Sequence, residues 1–301
     1  MPRFLTPLLL LAPLAASAPT RRTVLAMGTT LTWEGKASVE AQTRAFAAVR
    51  ALEARCSTWQ PGSLWSRLNA GETLSLPPED LALLRRVADL AQATEGAFDP
   101  VLGRLVAAWG LRSGGRTPEP AELDAARRAA GLAHLELEEA GVRLRKGAAL
   151  EEGGFLKGHA LDLMAMELRA GGARSGLLDF GGQLLAWGSA RPVSLADPQD
   201  RQRPRCSIRL RNASLSTSGT SERGRHLLDP RTGRPCEAWG SVAVVRPTGL
   251  EADVLSTALY VLGPERGLAW AEAHRVAAAF LLNDGTVKLT APFRAFHPRF
   301  L

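Results

Sequence analysis

The chain predicts an α+β fold in a single domain. Two patterns carry that expectation. Helical and strand periodicities alternate along the sequence without a steady β-α-β rhythm, which argues against a doubly wound parallel sheet. The composition, 46% hydrophobic and 22% charged over 301 residues, supplies enough apolar surface for a sizeable core. No tandem repeat or low-complexity linker divides the chain, and residues 23–301 read as one domain.

Residues 23–33 alternate as a strand, interrupted at Met27-Gly28-Thr29. Ser38 is placed to cap a helix running to about residue 54, with Val39, Phe46, Val49, Leu52 and Cys56 near one face. Residues 58–70 read as a polar loop. A second helix is expected over 79–94, with Leu81, Leu84, Val87 and Leu90 inward and Gly96 as its stop. A third covers 119–130. Leu135, Leu137, Val142 and Leu144 alternate around Ala140-Gly141 as a hairpin. Residues 157–169 form a helix after a Gly-Gly turn, and 177–187 a strand pair or bulged strand around Gly181-Gly182. Further strands fall at 207–210, 214–217 and 241–245. Helices at 252–262 and 265–273 precede closing strands at 276–282 and 287–290.

The net charge of +7 comes almost wholly from arginine, since lysine occurs only at Lys36, Lys146, Lys157 and Lys288. The arginines are scattered and lack the aromatic-interleaved stripe of a nucleic-acid binder, so no nucleic-acid partner is expected. Residues 1–18 read as a secretory signal: Arg3, then an apolar run too short to span a bilayer, then Ala15-Ala16-Ser17-Ala18. The expectation is an exported protein, periplasmic or associated with the cell envelope, with no transmembrane segment after the signal. An uncleaved N-terminal anchor is the rival reading. Cys56, Cys206 and Cys236 leave at least one unpaired thiol, and their spacing does not suit zinc.

The most chemically loaded stretch is 216–235, STSGTSERGRHLLDPRTGRP. Small hydroxyls, glycines, His226 and several arginines suit a loop that grips an anion through backbone N–H groups. Asp229-Pro230 and Thr232-Gly233 set a sharp turn just after His226. Asp253 and Thr257 lie four apart in ADVLSTALYVLG, on one helix face with Ser256 close by. A carboxylate and a hydroxyl are hard-oxygen ligands of the kind Mg²⁺ accepts; the same aspartate can equally serve the helix dipole alone. Gly153-Gly154 before Lys157-Gly158 exposes backbone and a cation at a helix start. Phe98 with Asp99 can hold a ring that has hydrogen-bonding edges, or be core and cap. No G-x-S-x-G elbow, H-E-x-x-H pair or Walker motif is present.

Taken in order, MGTTL (27–31), CSTWQPGSLWSRLNA (56–70), GAFDPVLGRLVAAWG (96–110), EEGGFLKGHALD (151–162), LDFGGQLLAWG (178–188), LSTSGTSERGRHLLDPRTGRP (215–235) and ADVLSTALYVLG (252–263) resemble the ApbE family, the FAD:protein FMN transferases. The resemblance implies a T-fold-like α+β core and Mg²⁺-dependent transfer of FMN from FAD to a threonine hydroxyl of an acceptor flavoprotein, with release of AMP. Family members that instead hydrolyse FAD to FMN and AMP mark an alternative, and a non-catalytic exported FAD-binding protein is a third. Matched residue by residue, FAD contacts fall on Met27, Trp59, Ala97, Phe98, Asp99, Glu151, Lys157 and Leu228. Metal positions fall on Gly154, Asp253, Ser256 and Thr257. His226 and Asp253 are the candidates to assist deprotonation of the acceptor. Departures from the family pattern are Glu151-Glu152 before the Gly pair, Asp179 and Gln183 around Gly181-Gly182, Thr220-Ser221 after TSG, and PVSLADP at Pro192.

Overall fold

The computed structural model describes residues 20–138, 141–220 and 226–301. The expected leader, the tip of the 135–144 hairpin and the middle of the 216–235 stretch lie outside the described residues.

The interrupted strand is a hairpin, β1 (Thr20–Ala26) and β2 (Thr29–Gly35), turning at Met27 (φ 45°) and Gly28 (φ 73°). The helix α1 (Val39–Cys56) starts where Ser38 caps it through the amide of Ala41. The loop expected over 58–70 contains a short helix, α2 (Leu64–Asn69), capped by Ser63. Its apolar pattern is only Leu64, Trp65 and Leu68, too short for a periodicity argument, yet Trp65 and Leu68 are fully buried. Next come α3 (Pro78–Ala93), α4 (Gly103–Ala108), α5 (Pro120–Arg128) and the hairpin β3 (Leu135–Leu137) with β4 (Val142–Leu144).

Helix α6 (Leu156–Ala170) leads into the second hairpin, β5 (Gly176–Phe180) and β6 (Gln183–Trp187). A strand the sequence reading lacked follows, β7 (Arg191–Ala196), its Val193 and Leu195 inward. Then come β8 (Pro204–Leu210), β9 (Ala213–Gly219), the short pair β10 (Leu228–Asp229) and β11 (Arg234–Pro235), and β12 (Gly240–Arg246). The two helices expected after residue 252 are present and run on as α7 (Gly249–Ala273). It is broken at Gly263 (φ 80°, ψ 173°), where Pro264 cannot continue the first ladder. Strands β13 (Ala277–Leu282), β14 (Val287–Leu289) and β15 (Arg299–Phe300) complete the chain.

Eight strands form one antiparallel sheet in the order β1-β2-β5-β6-β9-β12-β13-β14. Helices α1, α6 and α7 cover one face, and the small sheet β15-β8-β7 covers part of the other. This explains the continuous apolar runs late in the chain. In β12, Val242 and Val244 face the helices while Ala243 and Val245 face the small sheet. A strand buried on both sides shows no polar alternation. Cys56, Cys206 and Cys236 are all free thiols. No helix among the described residues is long and apolar enough to cross a membrane.

Candidate functional site

The site is organised by the contact between α6 and α7. A side chain on Gly158 would stand 2.2 Å from the carbonyl oxygen of Gly249 and 2.9 Å from Cβ of Asp253. Only glycine allows the two backbones that approach. Four hydrogen bonds hold the contact. Asp162 accepts from the amides of Gly249 (2.6 Å) and Leu250 (2.9 Å), capping the start of α7. Gln183 Nε2 donates to the Gly249 carbonyl (2.9 Å), and Gly158 N–H donates to Asp253 Oδ2 (3.0 Å).

Asp253 is thereby fixed with its carboxylate at the wall of a cleft of about 990 Å³. That volume lies at the upper end of the ~300–1,000 Å³ of ligand pockets. Burial pushes the Asp253 carboxyl above its ordinary pKa, and the charge of Lys157 opposes the push. Thr257, one turn on, faces the same cleft. A Cβ built on Gly154 would lie 3.4 Å from its hydroxyl and 3.0 Å from the Phe98 ring. Gly154, Asp253 and Thr257 therefore line one cleft, and the oxygen donors these residues carry are a backbone carbonyl, a carboxylate and a hydroxyl. Ser256 does not line the cleft. Fully buried, it exchanges hydrogen bonds with Ser218 (2.9 Å) and Ser216 (3.1 Å) and donates to the Asp253 carbonyl, tying α7 to β9.

Met27, Trp59, Ala97, Phe98, Asp99, Glu151, Lys157, His226 and Leu228 also line this cleft. Met27 presents its amide to Glu53 Oε1 (2.9 Å) from the hairpin turn. Phe98 is buried and packs edge-on to Phe155. Both oxygens of Asp99 are occupied, by the amides of Val101 and Leu132 (2.7 Å each). Asp99 thus shapes the turn carrying Ala97 and Phe98, and burial raises its pKa. Leu228 opens the pair β10–β11, which Trp109 anchors through Nε1 to the Gly233 carbonyl (2.8 Å). The turn expected at Asp229 is present, with Gly233 N–H donating to the Asp229 carbonyl (2.8 Å). His226 is partly buried on the cleft wall just before that pair.

A polar cluster of Arg112, Glu151 and Glu152 also lines the cleft. Arg112 Nη2 donates to Glu151 Oε2 (2.6 Å), and its guanidinium carbon lies 4.5 Å from the centre of the Trp59 ring. Burial and the neighbouring Glu152 raise the Glu151 pKa, while Arg112 lowers it. Arg112, Glu53 and Asp162 carry no expectation from the sequence, and Gln183 carries one only as a departure from the family pattern. Asp162 sits inside a quoted motif, and its spacing of four from Gly158, on the same helix face, is the available signal. Arg112 had none, since a lone arginine after a tryptophan-glycine pair does not announce a partner in a distant segment.

The donors fit Mg²⁺. All three are hard oxygens, and no group of three or more His, Cys, Asp or Glu side chains able to hold a metal is found among the described residues. A site with one carboxylate leaves positions for water and phosphate oxygens, as Mg²⁺ prefers.

These features define a class: an α+β protein whose large cleft joins a hard-oxygen face on two crossed helices to an aromatic and carboxylate mouth. Residues 27–281 match the ApbE family, and the chain belongs to it. It is 33% identical over 310 aligned positions to the FAD:protein FMN transferase of Rhodobacter capsulatus, an alignment covering 94% of this chain and 59% of that protein. Against the FAD:protein FMN transferase of Salmonella typhimurium the identity is 30%, over 84% of this chain and 79% of the relative. The crystal structure of apo flavinyl transferase ApbE from Pseudomonas stutzeri superposes with a TM-score of 0.85, at 29% identity and covering 95% of this chain and 98% of that one. Flavin transferase ApbE from Vibrio cholerae matches equally in fold, TM-score 0.85 at 26% identity, over 93% and 99% of the two chains.

Proposed function

We propose that this protein transfers FMN from FAD to a threonine hydroxyl of an acceptor flavoprotein, with Mg²⁺, and releases AMP. One observation supports the reading above all: Gly154, Asp253 and Thr257 line the same cleft as Met27, Trp59, Ala97, Phe98, Asp99, Glu151, Lys157 and Leu228, the residues that the sequence resemblance assigns to FAD. Named relatives with the transferase activity support it. The cleft has room for a dinucleotide, and its wall offers oxygen ligands for the cation that a diphosphate would need. When bound, Mg²⁺ neutralises the charge that develops as the diphosphate splits.

The chain's own residues supply position and proton transfer. Asp253, held by Gly158, and Thr257 fix where the diphosphate lies. Lys157 adds positive charge beside them; its ammonium donates to the Gly153 carbonyl (3.4 Å). Trp59 and Phe98 seat flat rings. His226 lines the same cleft and takes the threonine proton as the threonine oxygen attacks phosphorus and AMP leaves. The leader-like residues 1–18 support an exported location for this activity, periplasmic or at the cell envelope.

The test is incubation with FAD, Mg²⁺ and a threonine-containing acceptor domain. Covalent flavin on the acceptor and free AMP are the expected products. Free FMN without acceptor labelling would replace transfer by hydrolysis, and unchanged bound FAD would leave a carrier.

A further inference from the structure

Three segments distant in sequence meet on the guanidinium of Arg112. It donates to Glu151 Oε2 (2.6 Å), to the Thr58 carbonyl (3.1 Å) and to the Thr58 hydroxyl, and it lies against the Trp59 ring. Glu152 completes the cluster. Its buried carboxylate accepts from the Thr58 amide (2.9 Å), the Ser57 hydroxyl (3.4 Å) and the Thr58 hydroxyl, with Arg112 3.7 Å away. Trp59 itself is 63% exposed, so little else packs against it. An exposed indole gains a defined orientation from a cation stacked on its face. A carboxylate gains one from a guanidinium fork.

We propose that Arg112 is a positioning residue that locks Trp59 and Glu151 into one recognition unit for a planar nitrogen heterocycle. Trp59 offers the stacking face. Glu151 offers the acceptor for a ring N–H or amino group. The pyrimidine edge of flavin and the amino edge of adenine share this chemistry. The inference rests on FAD being the substrate and adds which residue orders the ring-binding mouth. The adjacent carboxylates of Glu151 and Glu152 would otherwise repel, and Arg112 from another segment offsets that charge.

The experiment measures binding of FAD, FMN and ADP separately to the wild-type protein, Arg112→Ala and Arg112→Lys, with thermal melts alongside. Arg112→Ala is expected to weaken FAD and one of the two fragments about tenfold, leaving the other fragment within twofold and the melting temperature near wild type. The fragment affected identifies the ring. Lysine is a point charge without the planar fork, so Arg112→Lys should not restore affinity. In transfer assays the KM for FAD should rise with little change in kcat. Wild-type binding of FAD with unchanged affinities in Arg112→Ala overturns this inference alone, as does equal weakening of both fragments. Failure of the wild-type protein to bind FAD or either fragment overturns the proposed function with it.

Discussion

Replacing Gly158 with alanine tests the α6–α7 contact that presents the metal face. The added Cβ would fall 2.2 Å from Gly249 O, 2.6 Å from Gly249 C and 2.9 Å from Asp253 Cβ. Two of those atoms are backbone, so no side chain can swing aside, and the helices must separate. Overpacking of this kind costs about 1–3 kcal/mol. Lengthening the Gly158–Asp253 bond removes part of the roughly 1.5–3 kcal/mol of a hydrogen bond to a charged group. With about 3 kcal/mol as the central value and roughly 2.1 cal/mol/K of unfolding entropy per residue, the melting temperature should fall by about 5 °C. The same displacement moves Asp253 and Thr257 away from Gly154, so Mg²⁺ dependence of transfer should shift to higher concentration. Gly62→Ala is the control, because its Cβ would meet nothing within 4 Å. The assay is a thermal melt paired with a Mg²⁺ titration of transfer. A Gly158→Ala protein that melts within 1–2 °C of wild type, with an unchanged Mg²⁺ titration, would refute the argument.

His226→Ala should lower the rate of transfer about 10²–10³-fold while FAD affinity changes less than about threefold, read by stopped-flow transfer and fluorescence titration; equal losses in both would remove its catalytic role. Asp253→Asn should abolish Mn²⁺ binding by calorimetry, since the remaining donors are neutral oxygens; retained Mn²⁺ affinity would place the metal elsewhere. His159 is held neutral by burial, its pKa lowered to about 4 from an ordinary 6.5. The unfolded chain therefore takes up a proton first as pH falls, and stability is lost between about pH 6.5 and 4. From pH 7 to pH 5 this group's loss is about 2 kcal/mol, and His159→Gln should remove that component of the pH dependence in urea unfolding. Identical pH profiles for the two proteins would contradict it.

Much of the fold was legible because the signals were local. Ser38 capped α1 as expected, Gly181-Gly182 turned a hairpin, and Gly263-Pro264 broke α7 where the sequence placed a gap between helices. Local signals failed where tertiary packing decided. Trp65 and Leu68 bury α2 in six residues, and β7 depends on pairing with β8. The site divides the same way. Asp253 and Thr257 were readable as one helix face, and Gly154 as bare backbone. Ser256 shared their spacing, but the helix turns it onto Ser216 and Ser218 instead of the cleft. Arg112 and Glu152 reach the cluster through segments about forty to ninety residues apart, a distance no pattern in one segment encodes.

The most direct measurement is anomalous scattering from crystals soaked with FAD and Mn²⁺ in place of Mg²⁺. A metal peak bonded to the Asp253 carboxylate and the Thr257 hydroxyl, with the FAD diphosphate beside it, is the expected result. An ordered FAD whose diphosphate lies away from these residues, or a metal peak elsewhere, would contradict the account.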